Sequence, residues 1–321
     1  MKQQTFEQQH ESQWSQFTQY LDQLEQKQIT SEHFPQAYRQ ICHHLALARD
    51  RHYSPYLIER LNHLVLRGHQ QLYTQRQHHL LISLLKFVMA DFPQAVRREW
   101  RLVSLSAVLF FAPLFIMAIT VYLYPETIYS LMNYEQVADM EMMYNPDSDY
   151  VGRNRDSDSD FLMFGYYIYN NTGIGFQVFA GGMLYCIGSL FFIIFNGLYI
   201  GAVAGYLVQL GYHTPFFSFV SGHSSLELIA IVISGAAGLK LGFALIAPQR
   251  LYRSQALIQA AQQSVVLLYG IILMFFLAAF TEAFWSSNAA IDPIIKYLVG
   301  ICLWILCLVY FSFVGKHRAT G

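Results

Sequence analysis

The chain has 321 residues, 54% of them hydrophobic and only 13% charged, with a formal net charge of −1. Soluble domains carry roughly a quarter charged residues, so an ordinary soluble fold is excluded for most of the chain, and the near-neutral balance implies no nucleic-acid partner. The deficit is concentrated: residues 102–124, 161–226, 264–281 and 297–315 contain no Asp, Glu, Lys or Arg.

The polar, Gln-rich start lacks a basic stretch leading into an apolar one, so no cleavable signal peptide is expected. Phe6, Trp14, Phe17, Leu21 and Leu24 recur at helical spacing, as do Ile41, Leu45 and Ala48, then Leu57, Leu61 and Leu64. Ser54-Pro55 reads as a helix cap and first position, Gly68 as a stop, and Asp91-Phe92-Pro93 as a break. These signals predict a soluble helical domain over 1–98, with about four helices and with His43, His44, Arg49, Arg51 and His52 on a solvated face. Arg97, Arg98 and Arg101 around Trp100 form a basic and aromatic membrane-edge anchor, which puts this domain in the cytoplasm.

The membrane domain follows over 99–321, beginning with a span at about 102–124 that tolerates Pro113. Residues 125–160 are acidic (Glu126, Glu135, Asp139, Glu141, Asp147, Asp149, Asp156, Asp158, Asp160) and hold only Arg153 and Arg155 as basic residues, as suits an outer loop. Its Asp-Ser run at 156–160 lacks the Gly and terminal Glu of a calcium loop. The uncharged stretch 161–226 is glycine-rich. Gly181-Gly182 and Asn196-Gly197 read as bends or helix ends, with Asn170, Asn171 and Asn196 as helix-capping groups. Whether 196–211 crosses or re-enters stays open. Gly197, Gly201 and Gly205, and Ser234, Gly238 and Gly242, are spaced by four, which brings helix backbones close in lipid and suggests a homodimer. Spans at about 222–247, 263–285 and 295–314 flank a basic inner loop (Arg250, Arg253) and end on Lys316, His317 and Arg318. Both termini then lie inside, and the crossings number six, or four with re-entrant segments. The fold class is all-α: a polytopic helical membrane bundle with a soluble N-terminal helical domain.

Three ionisable residues stand inside this apolar region, where such groups are costly and are candidates for function. His223 and Glu227 share a helix face at i, i+4. Glu227 lies 20 residues before Ala247 and Glu282 lies 20 after Gln262, so both are roughly 30 Å from the inner loop and at one depth. Such a trio could share a proton, bind a divalent cation, or fix helix register. Lys240 is placed to snorkel to the inner interface. The chain has no HExxH, GxSxG or Walker motif and no CxxC, so no cofactor is required by any motif. Cys186, Cys302 and Cys307 sit in apolar runs as small packers.

Phe195-Asn196-Gly197-Leu198-Tyr199-Ile200-Gly201-Ala202, Gly222-His223-Ser224-Ser225-Leu226-Glu227 and Gly235-Ala236-Ala237-Gly238-Leu239-Lys240-Leu241-Gly242 together resemble the core of the stage II sporulation protein M family, over about 100–315. Ser224 stands where the family pattern has Gly after the His. The resemblance implies a multi-pass protein of the bacterial inner membrane. In spore-formers such proteins work with cell-wall hydrolases, and the versions with a long N-terminal domain accompany MoxR-type AAA ATPases and von Willebrand A-type proteins. No catalytic residue carries over from the family.

Three functions are therefore in contention. The first is a scaffold in which 1–98 receives a cytoplasmic partner, such as an AAA ATPase-associated complex, and 125–160 faces an envelope protein. The second is an ion or small-solute transporter or channel using His223, Glu227 and Glu282. The third is an intramembrane metal-dependent hydrolase built on the same residues, which requires a water-accessible cleft.

Overall fold

The structure is a computed structural model that describes residues 2–25, 34–147, 160–288 and 290–316, with the backbone alone over 72–80. Asp149, Arg153, Arg155, Asp156 and Asp158 of the acidic loop, and His317 and Arg318, lie outside the described residues. The chain forms two compact units, 1–86 and 87–321, and the regular structure of the described residues is all helical, without strands.

The first unit holds α1 (Gln3–Glu25), α2 (Phe34–Asp50) and α3 (Pro55–Lys86). Its core is the set of periodic apolar residues: Phe6, Trp14, Phe17, Leu21 and Leu24 meet Ile41, Leu45, Ala48, Leu57, Leu61 and Leu64. Ser54 accepts the Leu57 N–H at 3.4 Å, so Ser54-Pro55 starts α3 as expected. Gly68 does not stop it. A Cβ there would press on the Tyr38 ring at 2.7 Å, so glycine serves close packing inside a helix that runs on to Lys86. The unit has three described helices; the roughly four expected were read over 1–98, which also takes in the short helix Phe92–Arg98. Its rim is tied by Arg60–Glu11 at 2.6 Å and by Arg67 to Asp22 and Glu25 at 2.7 and 2.9 Å.

The second unit opens with a π-helical turn (Phe87–Asp91) and short α4 (Phe92–Arg98), followed by α5 (Trp100–Leu123), α6 (Tyr134–Met143), α7 (Asp160–Ala180), α8 (Ile187–Gln209), α9 (His213–Val220), α10 (Ser224–Ile246), α11 (Arg253–Thr281) with a π-helical end (Glu282–Ser286), and α12 (Pro293–Phe313). Among the described residues, α5, α8, α10, α11 with its π end, and α12 are long and apolar enough to cross a membrane. This is a multi-pass membrane protein. The 21-residue α7 matches them in length, but its tyrosines, asparagines and glutamine make it less apolar. Residues 196–209, open between crossing and re-entering, belong to the single helix α8.

α10 is the axis of the bundle. In its most apolar stretch 72% of residues are buried, against 17% for α5 and α12, which face outward. It packs on α5, α7, α8, α11 and α12. Its small residues allow this: Gly238 lies against Ser189 Oγ and the Val178 carbonyl, and Gly242 lies on Cys186.

α5 and α8 form the tightest pair. Gly197, Gly201 and Gly205, one turn apart, lie on the carbonyl oxygens of Phe110, Leu114 and Ala118, also one turn apart. A Cβ at any of the three would collide with that oxygen. Asn196-Gly197 is therefore no bend: α8 passes straight through, with Asn196 Nδ2 donating back to the Phe192 carbonyl at 2.8 Å. Asn170 and Asn171 likewise sit inside uninterrupted α7 and cap no helix end. The glycine faces from which a homodimer was expected are spent inside one chain.

Gly181-Gly182 does form the expected bend, as a 3₁₀ turn between α7 and α8 that seats Gly181 on Gly188. Lys240 meets Glu99 at 2.6 Å instead of ending free at the interface.

Candidate functional site

His223 is the N-cap residue of α10, and Glu227 lies in the same helix's first turn, where the positive end of the helix dipole favours an anion. Glu282 comes from the opposite direction, as the first residue of the π segment ending α11. A π turn inserts an extra residue into the helical register and is frequent at functional sites. The two carboxylates, counted to one depth from the 248–262 loop, converge in space. One ligating atom from each of His223, Glu227 and Glu282 lies within 4.8 Å of the others. His223 and Glu282 are 5% and 8% exposed.

His223 Nε2 and Glu227 Oε2 stand 3.8 Å apart, too far for a hydrogen bond. Metal–ligand bonds of about 2.0–2.2 Å set neighbouring donors roughly 3–3.5 Å apart. An ion at the centre of this triad would draw its widest pair inward by about 1 Å, within the reach of a carboxylate rotation. A site of one imidazole and two carboxylates suits a divalent transition cation such as Zn²⁺ or Mn²⁺.

Behind the triad lies a second layer. His223 Nδ1 is 3.1 Å from Ser286 Oγ, which fixes the ring with Nε2 facing Glu227. Lys296, 2% exposed, donates from Nζ to the Ser286 carbonyl at 2.8 Å, and Ser221 Oγ donates to the Lys296 carbonyl at 3.1 Å. Lys296 thus ties α12 to the π turn that carries Glu282 and to the segment that carries His223. Partners of this kind orient metal ligands. Nothing in the pattern of residues singles out Lys296, because a Lys in the first turn of a span looks like any flanking basic residue.

The triad faces a cavity of about 1320 Å³. Its other walls include Gln136 and Asp139 of α6, Asn170 and Asn171 of α7, and Asn196 of α8. The asparagines expected to break or cap helices are therefore wall residues. Asn170 Nδ2 donates to Asn171 Oδ1 at 3.0 Å. Along α10 the wall ends at Ile231; beyond it the glycine-packed seam with Ser189 and Cys186 closes the bundle. Gly201, Gly205, Ser234, Gly238 and Gly242 belong to the packing and line none of the cavity.

The family model described as "Stage II sporulation protein M" matches residues 106–287, more than half of the chain and inclusive of His223, Glu227 and Glu282. A second family model, a domain of unknown function (DUF8413), matches residues 4–74 in the first unit. No curated protein matches the chain, and no solved structure does.

Proposed function

The chain belongs to the stage II sporulation protein M family, and we propose that this member is a membrane-embedded, metal-dependent hydrolase whose ion is held by His223, Glu227 and Glu282. The observation behind this reading is the convergence of three ligating atoms within 4.8 Å on the wall of a large cavity. Two carboxylates in low dielectric are expensive, and a divalent cation offsets both charges. Three protein ligands with a fourth position open to a cavity is the pattern of catalytic rather than structural zinc, and such an ion turns bound water into a nucleophile near neutral pH.

A channel or transporter would use the same triad; along α10 the cavity lining stops at Ile231, well short of that helix's other end at Ile246. Arg97, Arg98, Arg101, Arg250 and Arg253 flank the opposite ends of the spans from the triad. By the positive-inside rule this supports a cytoplasmic side for those ends and an outer side for the triad, consistent with the reading of a bacterial inner-membrane protein.

Purified full-length protein should carry about one divalent transition-metal ion per chain. His223→Ala and Glu282→Gln should each lose it while remaining folded. Incubated with a membrane extract in heavy-oxygen water, the loaded protein should place the label in a product, and a chelator or Glu227→Gln should stop this. Absence of bound metal from protein supplied with Zn²⁺ or Mn²⁺ would remove the reading.

Recruitment is a second reading, favoured by the separate core of residues 1–86 and their match to a family of their own. Here the first unit receives a cytoplasmic partner, such as an ATPase-linked complex, and residues 125–160 face the envelope. Val137 and Met140 of α6 are buried with Leu207 and Phe216, so that contact would fall to its exposed face, where Glu135 and Tyr134 lie. A pull-down through the first unit that recovers no specific partner sinks this version.

A further inference from the structure

The apolar residues of α3 change partners along its length. Leu57, Leu61 and Leu64 are buried in the core of the first unit, and Gly68 lies against Tyr38 and Phe17. Beyond that the helix runs on to Lys86, while the family match of this unit stops at residue 74. Leu81, Ile82, Leu84 and Leu85 follow, all between 51% and 64% exposed. At about 100° per residue they share one side of the helix, an arc of roughly 160°, and Ser83 and Lys86 hold the other side. An apolar stripe of this width ordinarily faces a core. This one meets no core among the described residues.

The chain that follows is fixed at the rim of the membrane bundle. Helical backbone continues from Lys86 through the π turn (Phe87–Asp91) into α4 without a break. The π turn is docked on the end of α12, the span that finishes at Phe313. The Tyr310 hydroxyl donates to the Val88 carbonyl, and Gly315 lies against the Met89 carbonyl and Ala90. Gln94 Nε2 donates to the Gly315 carbonyl at 2.8 Å, and Arg97 Nη1 to the Phe311 carbonyl at 2.9 Å. Residues 88–97 therefore sit where a span leaves the hydrocarbon, at the basic end of the bundle. Leu81 is seven residues from Val88, about 10 Å of helix at 1.5 Å per residue. The bare apolar side thus begins within two turns of the bilayer's edge.

We propose that Leu81, Ile82, Leu84 and Leu85 lie in the interfacial layer of the lipid bilayer, in the leaflet at the basic end of the spans, so that α3 ends as an amphipathic membrane-surface helix. Residues 81–89 make about 13 Å of helix, less than half of a hydrocarbon core of about 30 Å, so they cannot cross it. A helix lying in the interface sinks only its apolar side, by about 5–10 Å, and keeps its basic residues on the polar side. Lys86 is on that side, where its ammonium reaches lipid phosphates. Residues 60–90 contain no Asp or Glu, as suits an anionic leaflet. Continuity with the bilayer-facing bundle and this charge both favour lipid over a second copy or a cytoplasmic protein as the cover.

The membrane-associated part of the chain then begins near residue 81 instead of 99, and the soluble core is tethered to the surface by its own last helix. In the recruitment reading, this leaves a cytoplasmic partner the surface that precedes Leu81. The metal site plays no part in it.

The test puts a benzophenone side chain at one position at a time in the full-length protein, in nanodiscs of phosphatidylethanolamine and phosphatidylglycerol. Leu81 and Leu85 probe the apolar side. Ile119 of α5 is the bilayer-facing reference, and Tyr56, at the start of α3, is the reference away from the membrane. All four are more than half exposed, so the replacements leave the packing intact. After irradiation, mass spectrometry counts lipid adducts. Leu81 and Leu85 should form them as Ile119 does, about tenfold above Tyr56, as moving one leucine side chain out of water predicts. Adducts at Leu81 and Leu85 no more abundant than at Tyr56 would overturn the proposal. So would crosslinks from these positions, in native membranes, to a second copy or another protein in place of lipid.

Discussion

At the residue scale, the site is a balance of charges in a place that tolerates few. Glu227 and Glu282 bring two carboxylates next to His223 within an apolar bundle, and Lys296 stands one residue removed, through Ser286. The carboxylates were legible from counting alone, because equal distances from one connecting loop put them at one depth. The counting could not show that a π turn at 282–286 aims Glu282 at His223, nor that Lys296 secures that turn from another helix. Both depend on contacts distant in sequence. Lys296→Met keeps the stem's volume and removes the donor. It should weaken metal binding by roughly 10–100-fold, as loss of a supporting partner does, while leaving about one site per chain. A titration calorimetry series checks this, and unchanged affinity would reduce Lys296 to packing.

At the element scale, the glycines decide the bundle. Hydrophobic burial gives lipid-facing helices little reason to pair, so close packing has to do it. Three glycines of α8 on three carbonyls of α5 are the clearest case. Gly201→Leu would drive a side chain into the Leu114 carbonyl. It should cost about 1–3 kcal/mol, read as an earlier thermal transition in detergent, whereas Gly165→Leu, with open space around its Cβ position, should leave the transition in place. Asn196-Gly197 looks like a helix break because Asn and Gly end helices in water. In this bundle Asn196 bonds to its own helix and Gly197 serves the partner, so α8 continues. The same four-residue spacing is equally compatible with a dimer, and only the packed chain shows it consumed within the monomer.

At the scale of the whole molecule, two units follow different physics. The second is a bundle whose polar residues collect on one cavity. The first is a soluble-type helical core, and its periodic residues were readable one by one, from Phe6 to Leu64. His44, grouped by sequence with a solvated histidine face, instead lies 6% exposed. Trp14 Nε1 donates to its Nδ1 at 3.1 Å, and the His10 ring is 4.0 Å away. Burial first, then the charges of His10 and His43, lower its pKa from 6.5 to about 4. Between those values the unfolded chain binds a proton that the folded unit resists. The stability this contributes is fully present above about pH 6.5 and is lost as pH falls toward about 4. Hydrogen exchange on the full-length protein should therefore show α1 and α2 opening faster at pH 5 than at pH 7, and His44→Phe should flatten the difference. Equal pH response in the variant would place the acid sensitivity elsewhere.

Ligation of one metal ion by His223, Glu227 and Glu282 can be checked by X-ray absorption at the metal edge of the loaded, full-length protein. The spectrum should show a first shell of oxygen and nitrogen only, with the outer-shell scattering of a single imidazole that vanishes in His223→Ala. A sulfur ligand, or an imidazole signal that survives that substitution, would contradict it and move the ion away from this site.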